Sequence, residues 1–148
     1  MAKFEFKGIN EYDKMLVKLG DQYDPICQSM LSKAVQIAAN ALRQATSVFA
    51  KHIKPKKAKH NQYGWFAQVH FGGQIKNRSN TGSGTNAARA AVIYEYGRTA
   101  GTYTDKKGHK RHFPAQPARP FIKRSMAECE QQVVDAMQEV YDEAVKKL

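Results

Sequence analysis

Two long stretches of helical periodicity constrain this chain more than any other feature. Over residues 25–51, apolar side chains recur at steps of three and four with polar residues between them, which is typical of an amphipathic helix. The same spacing runs from Ile122 nearly to the C-terminal Leu148. Asp24-Pro25 and Pro120 are start signals, because the first turn of a helix does not need the N–H that proline lacks. We therefore predict two long helices, each burying one face.

The residues before the first long helix favour two short elements. Phe4 and Phe6 alternate with charged residues over 4–9, a period of two that predicts an edge strand. Asn10 can cap a short helix, and Gly20 can close it. We therefore expect the first helix to end before the second begins at Pro25.

Between the long helices, apolar residues cluster in two segments. Residues 63–73 alternate apolar and polar side chains and predict a strand. Residues 87–97 predict a second strand, although the alanines at its start could begin a helix. The segments 52–62, 73–86 and 98–113 have no apolar period, so we interpret them as exposed loops.

These elements fit one domain spanning residues 1–148, since domains usually hold about 100–200 residues. Hydrophobic residues make up 42% and charged residues 25% of the chain, which excludes a fibrous or wholly disordered protein. We predict the α+β class, with a small, mostly antiparallel sheet packed against two long helices and carrying long basic loops.

The sequence also indicates where the chain works. No apolar run approaches the ~20 residues of a membrane helix, and the start, MAKFEFKG, is charged where a signal peptide would be apolar. We expect no membrane and a cytoplasmic location, at least at first. Cys27 and Cys129 both fall on apolar helix faces, so we expect no disulfide.

Charge is strongly segregated along the chain. Residues 51–124 carry 16 basic and 2 acidic side chains, whereas residues 125–148 carry 2 basic and 6 acidic ones. This distribution has three interpretations. The basic surface can bind phosphate or acidic protein, it can dock on the acidic face of a neighbouring subunit, or it can simply be solvated. The candidate partner-facing or DNA-facing residues are Lys54, Lys56, Lys57, Lys59, Lys106, Lys107, Lys110 and Arg111.

Patterns that would indicate catalysis are weak. The histidines at 52, 60, 109 and 112 lack the cysteine or histidine neighbours of a zinc site, and we expect no metal and no cofactor. TGSGTN lacks the lysine of a phosphate loop. Glu95 is the most interesting acid, because a carboxylate among apolar residues needs a partner. We expect it to pair with a nearby arginine or lysine at a strand end rather than to act as a general base.

Two tracts, AAVIYEYGRT and HFPAQPARPFIKRSM, resemble the gene-product-ten-like tail-component family of HK-type lambdoid tailed phages. Its members show a strand ending in an acid, one further residue and Gly-Thr, then a variable loop, and a Pro-Ala-x-Pro-Phe motif that leads into a C-terminal helix. This chain departs from the pattern in two places: Arg98 follows Gly97, and an Ala118-Arg119 insertion separates Pro117 from Pro120. The opening FEFKGINEYDKMLVKL is similar to the family's strand, glycine and helix. The matching residues are Glu95, Gly97, Pro114, Ala115, Gln116, Pro117, Pro120 and Phe121.

The resemblance implies a neck or tail-completion protein without catalytic turnover. It implies a subunit of the virion's head-to-tail junction that assembles in the host cytoplasm as a ring, for which a hexamer is one candidate. Partners would be other copies, further phage head-completion and tail proteins, and weakly held passing DNA. Pro114, Pro117 and Pro120 would set the chain's angle into the last helix, which Phe121 would anchor in the core.

Two alternatives stay open on the residues alone. A nucleic-acid-binding module is favoured by lysine-rich segments beside aromatic rings such as Tyr63 and Tyr103, on which bases can stack. A small enzyme such as a nuclease is the other.

Overall fold

Two antiparallel helices run the length of the fold in the computed structural model, which describes residues 9–75 and 84–147. Helix α1 spans Ile9–Ala45 and α3 spans Phe121–Val145. The ring of Phe121 stacks on Phe49, just beyond the end of α1. At the opposite end, Ala144 and Pro25 line the same surface depression. The two predicted long helices are thus confirmed.

The predicted break within the first helical region is wrong. Gly20 and Pro25 both lie inside the continuous helix α1. A glycine within a helix costs only about 1 kcal/mol, and Pro25 removes one hydrogen bond, to the Asp21 carbonyl.

The helix also ends at Ala45, and one 3-10 turn, Ala50–His52, follows it. Of the predicted edge strand at 4–9, Ile9 instead belongs to α1, and residues 4–8 lie outside the described residues.

The α+β class is confirmed, and the described strands pair antiparallel in four ladders of two strands each. The pairs are β1 (Ile53–Pro55) with β4 (Val69–Phe71), β2 (Lys59–Asn61) with β3 (Gly64–Phe66), β5 (Gln74–Ile75) with β6 (Thr85–Asn86), and β7 (Gly101–Thr104) with β8 (Lys110–Phe113).

Each of the three predicted loops therefore contains paired strands. Residues 53–71 form one bent hairpin, because β1 and β2 lie in the predicted loop and pair with the two halves of the predicted strand 63–73. Residues 101–113 form a second hairpin. β2 and most of the second hairpin are exposed, so these strands lack the apolar alternation of a half-buried strand, whereas β1 is too short to show it beyond the buried Ile53. In the third segment, β5 and β6 lie on either side of residues 76–83, which are outside the described ranges.

The second predicted strand, 87–97, is also wrong, since helix α2 spans Ala87–Tyr96. The Oδ1 of Asn86 accepts hydrogen bonds from the backbone N–H groups of Ala88 and Arg89, at 2.9 and 3.2 Å, and caps the helix. Ala87, Ala91 and Glu95 are its buried residues. Their spacing of four places them on one helical face.

Four aromatic rings form the core where these elements meet. Phe49 stacks on Phe121 with ring centroids 5.4 Å apart, and Phe71 and Tyr94 meet both rings edge to face. Phe121 is only 3% exposed, as the prediction of a core anchor requires. Ile53 is likewise buried. The core therefore joins α1, the first hairpin, α2 and the start of α3.

Two further predictions from the sequence can be compared with the structure. Cys27 and Cys129 are both free thiols, and Cys129 is buried. Among the described residues, no helix is both long and apolar enough to cross a membrane.

Candidate functional site

The residues that carry the family resemblance converge at the start of α3. Glu95, in the last turn of α2, is 5% exposed. Its Oε2 accepts a hydrogen bond of 2.8 Å from the backbone N–H of Ile122, and its Oε1 accepts one of 3.0 Å from that of Lys123. Pro120 stands at the N-cap position of α3, where it offers no side-chain acceptor. Glu95 thus supplies, from another helix, the cap that Pro120 cannot provide.

This arrangement corrects both sequence-based expectations for Glu95. The residue lies on a helix rather than at a strand end, and its partners are backbone N–H groups rather than an arginine or lysine. A carboxylate at a helix N-terminus is also favoured by the positive end of the helix dipole. Glu95 therefore acts as a cap of α3.

Gly97 allows two chain segments to cross at close range. Its φ is +74°, and a Cβ atom there would lie 2.7 Å from the Gln116 carbonyl oxygen and 2.8 Å from the Ala118 backbone nitrogen. The neighbouring Arg98 exchanges two backbone hydrogen bonds of 2.9 Å with Gln116. Glycine is required here both by the backbone conformation and by the space.

The proline segment completes this helix junction, which we define as residues 94–98 together with 114–123. The Pro114 carbonyl accepts a hydrogen bond of 3.3 Å from Arg98 Nε. The backbone N–H of Arg119 donates to the Tyr94 carbonyl at 2.8 Å. Pro117 is exposed. The structure thus unites motif residues that are far apart in sequence.

Two arginines of the helix junction have no signal in the sequence patterns. The Arg119 guanidinium lies 5.3 Å from the centre of the Tyr94 ring and donates a 3.1 Å hydrogen bond to the Tyr94 hydroxyl. Arg98 lies 4.8 Å from the centre of the Phe113 ring. Both are cation–π contacts. Local spacing cannot indicate them, because each pair belongs to different elements.

The first hairpin, residues 53–71, presents basic side chains to solvent. Lys54, Lys56, Lys57 and Lys59 are not buried, and none has a carboxylate within salt-bridge distance among the described residues. Tyr63, at the tip, is 88% exposed.

The same hairpin is held against α1 near its tip. Trp65 Nε1 donates a hydrogen bond of 2.8 Å to Asp24 Oδ1, and the ring of His60 meets the indole edge to face. The tip is therefore fixed alongside the helix rather than extended freely.

Asp105 organises the turn of the second hairpin, residues 101–113. Its Oδ1 accepts hydrogen bonds of 2.9 Å from the backbone N–H groups of Lys107 and His109, and its Oδ2 accepts one of 3.1 Å from Arg111 Nε. The bond from the His109 backbone, followed by those from Arg111 and Lys107, holds the pKa of the Asp105 carboxyl below its ordinary value of 3.8. Lys106 and Lys110 are exposed.

Acidic side chains gather on the far end of α3. Asp135, Glu139, Asp142 and Glu143 line one shallow depression there. Glu139 Oε2 lies 2.6 Å from Lys33 Nζ of α1, and this bond raises the pKa of Lys33. The segregation of charge in the sequence is thus also a segregation in space, with exposed bases on the hairpins and exposed acids on α3.

Neither the comparisons with known proteins nor the arrangement of possible metal ligands assigns a function. Compared with family models, with curated proteins and with solved structures, the chain matches none of them. Across residues 9–75 and 84–147, no three histidine, cysteine, aspartate or glutamate side chains are grouped to hold a metal ion.

Proposed function

We propose that this chain is a structural, non-catalytic subunit of the head-to-tail junction of a long-tailed phage or prophage, assembling as a ring between head connector and tail. The observation that carries the proposal is the helix junction. The residues that resemble the neck and tail-completion family, Glu95, Gly97, Pro120 and Phe121, act together there to fix how α3 leaves the core. A motif that fixes the direction of a helix has a structural role, which suits a subunit of an assembly.

The distribution of charge supports the same proposal. A subunit with exposed bases on two hairpins and exposed acids on a helix presents opposite charges to its neighbours on either side. Ring assembly from copies related by rotation uses two different faces of each subunit. Any contact with passing DNA would be weak, because tight phosphate binding would stop the genome from moving.

Deletion of the gene in its phage or prophage tests the proposal. We expect particles that lack joined heads and tails, seen by electron microscopy, with infectious virions restored by the wild-type gene. Mass spectrometry of purified virions should detect the chain. Infectious tailed virions formed without it, or its absence from wild-type particles, would overturn the proposal.

A nucleic-acid-binding module is the second candidate, favoured by the exposed ring of Tyr63 beside the lysines of the first hairpin. Base stacking on such a ring is worth about 1–3 kcal/mol. In this case the affinity for single-stranded DNA should fall steeply with salt and fall further on Tyr63→Ala. Tyr96→Ala, which removes a 78% exposed ring from α2 outside both hairpins, is the matched control. Salt-independent or undetectable binding would remove this candidate.

A further inference from the structure

An apolar groove runs along one side of the molecule. Its floor is α1, its walls are α3 and the connection between β3 and β4, and its volume is about 700 Å³. Leu31, Val35, Met126 and Val133 are among its lining residues, and Glu130 is the ionisable one. At the rim, Val134 is 54% exposed. The groove is therefore open, apolar and of weak negative charge.

The N-terminal part of α1 carries the complementary surface. We define the α1 arm as residues 14–20. Within it Met15, Leu16 and Val17 are 39%, 45% and 65% exposed. The reason is geometric, because Ala144 and Lys147, at the end of α3, lie beside Lys18 and the residues after it. Met15, Leu16 and Val17 are consecutive and therefore span about 200° of the helix circumference. Beyond the end of α3, α1 thus presents a broad exposed apolar surface.

The arm and the groove are both apolar, and the few charges that they carry are opposite in sign. Lys14 is an exposed basic residue of the arm, and Glu130 is the charged residue among those that line the groove. The arm cannot fill the groove of its own chain, because α1 is continuous and its residues 31–42 form the groove floor. An occupant with this chemistry must therefore come from another molecule.

We propose that the α1 arm of one copy of this chain packs in the apolar groove of a second copy. The contact joins two different faces, so each added copy leaves one arm and one groove free, and the contact repeats until a ring closes. This inference deepens the proposed function and rests on it for the closed ring, whereas the pairwise contact is a property of the purified chain.

Two charge insertions at exposed positions test the contact. Leu16→Glu alters the arm and Val134→Lys alters the groove, and neither side chain is buried in the isolated chain. Each should weaken self-association by about tenfold or more, because it places a charge in the apolar contact and repels the charge of like sign on the facing surface. Gln36→Glu on α1 and Gln132→Lys on α3 insert the same charges at exposed positions outside the arm and the groove. These controls should associate like the wild type in sedimentation velocity.

A mixing experiment identifies the geometry. The Leu16→Glu variant keeps an intact groove and the Val134→Lys variant keeps an intact arm. Their mixture should form a one-to-one heterodimer and nothing larger, although each variant alone stays monomeric. Failure of the mixture to pair, wild-type-like association of either variant, or a wild type that stays monomeric up to its solubility limit would each overturn the inference.

The outcome separates this inference from the proposed function. Wild-type chains that do not pair through arm and groove, from a phage whose infectious virions require the chain, would refute the contact and leave the virion role standing. Purified chains that do pair in this way, from a phage whose virions form without the chain, would refute the virion role and leave the contact standing.

Discussion

The Oε2 of Glu95 accepts a hydrogen bond of 2.8 Å from the backbone N–H of Ile122, which lies 27 positions further along the chain. Through this bond the end of α2 holds the beginning of α3. The direction of α3 therefore depends on a side chain outside it.

Replacing Glu95 tests this cap. Glu95→Gln keeps one acceptor but places an amide N–H₂ against a backbone donor, so we expect a loss of about 1–3 kcal/mol in the free energy of unfolding. Urea denaturation followed by circular dichroism measures it. Glu128→Gln, an exposed acid of α3, should change stability by less than about 0.5 kcal/mol. Equal effects of the two substitutions would contradict the capping role.

Gly97 and Gly108 both have positive φ, +74° and +84°, but a Cβ atom would clash with the chain at Gly97 and not at Gly108. Gly108→Ala should cost about 1–2 kcal/mol for the positive φ. Gly97→Ala should cost clearly more for two reasons: its ψ of −178° lies in a region that is essentially restricted to glycine, and the Gln116 and Ala118 backbones must also move. Thermal unfolding of both variants provides the comparison, and equal costs would refute the close crossing.

Gly20 tests the continuity of α1. It lies in a helix interior, and nothing comes within 4 Å of the position that a Cβ atom would take there. Gly20→Ala should therefore stabilise the protein by about 0.5–1 kcal/mol. If Gly20 instead closed a short helix in a left-handed conformation, the same substitution would destabilise it. The direction of the change in unfolding midpoint therefore distinguishes one helix from two.

Acid should loosen the turn of the second hairpin. Because hydrogen bonds hold the pKa of Asp105 below 3.8 in the folded chain, its stabilising effect is complete above that value and is lost as pH falls through the lower, folded pKa. NMR titration should show the amide signals of Lys107 and His109 moving together in that range. Asp105→Asn should abolish this shared titration, and its persistence would assign it to another group.

The fold class and the two long helices can be predicted from the sequence because amphipathic spacing over many turns is a strong signal. The prediction fails at 87–97, where Val92, Ile93 and Tyr94 favour a strand locally, yet the Asn86 cap and the buried alanines spaced four apart place the segment in a helix. The lysine-rich strands escape prediction for a different reason. Backbone pairing between exposed strands leaves no pattern of burial to detect.

For the candidate site, the sequence indicates the residues but not their relationships. Glu95 stands out as a carboxylate in need of a partner, whereas its actual partners are backbone groups, which no side-chain pattern encodes. The Gly97 crossing becomes visible only when segments nearly twenty residues apart are brought together. By contrast, the core position of Phe121 is predictable, because a large apolar residue at the start of a helix has few other places to go.

The chain contains one tryptophan, and its indole is bonded to Asp24 at the point where the first hairpin meets α1. Intrinsic fluorescence therefore reads a single location in this molecule without any label. Undocking of the hairpin tip would expose the indole to water and shift its emission to longer wavelength, so attachment of the tip can be followed in real time and apart from global unfolding.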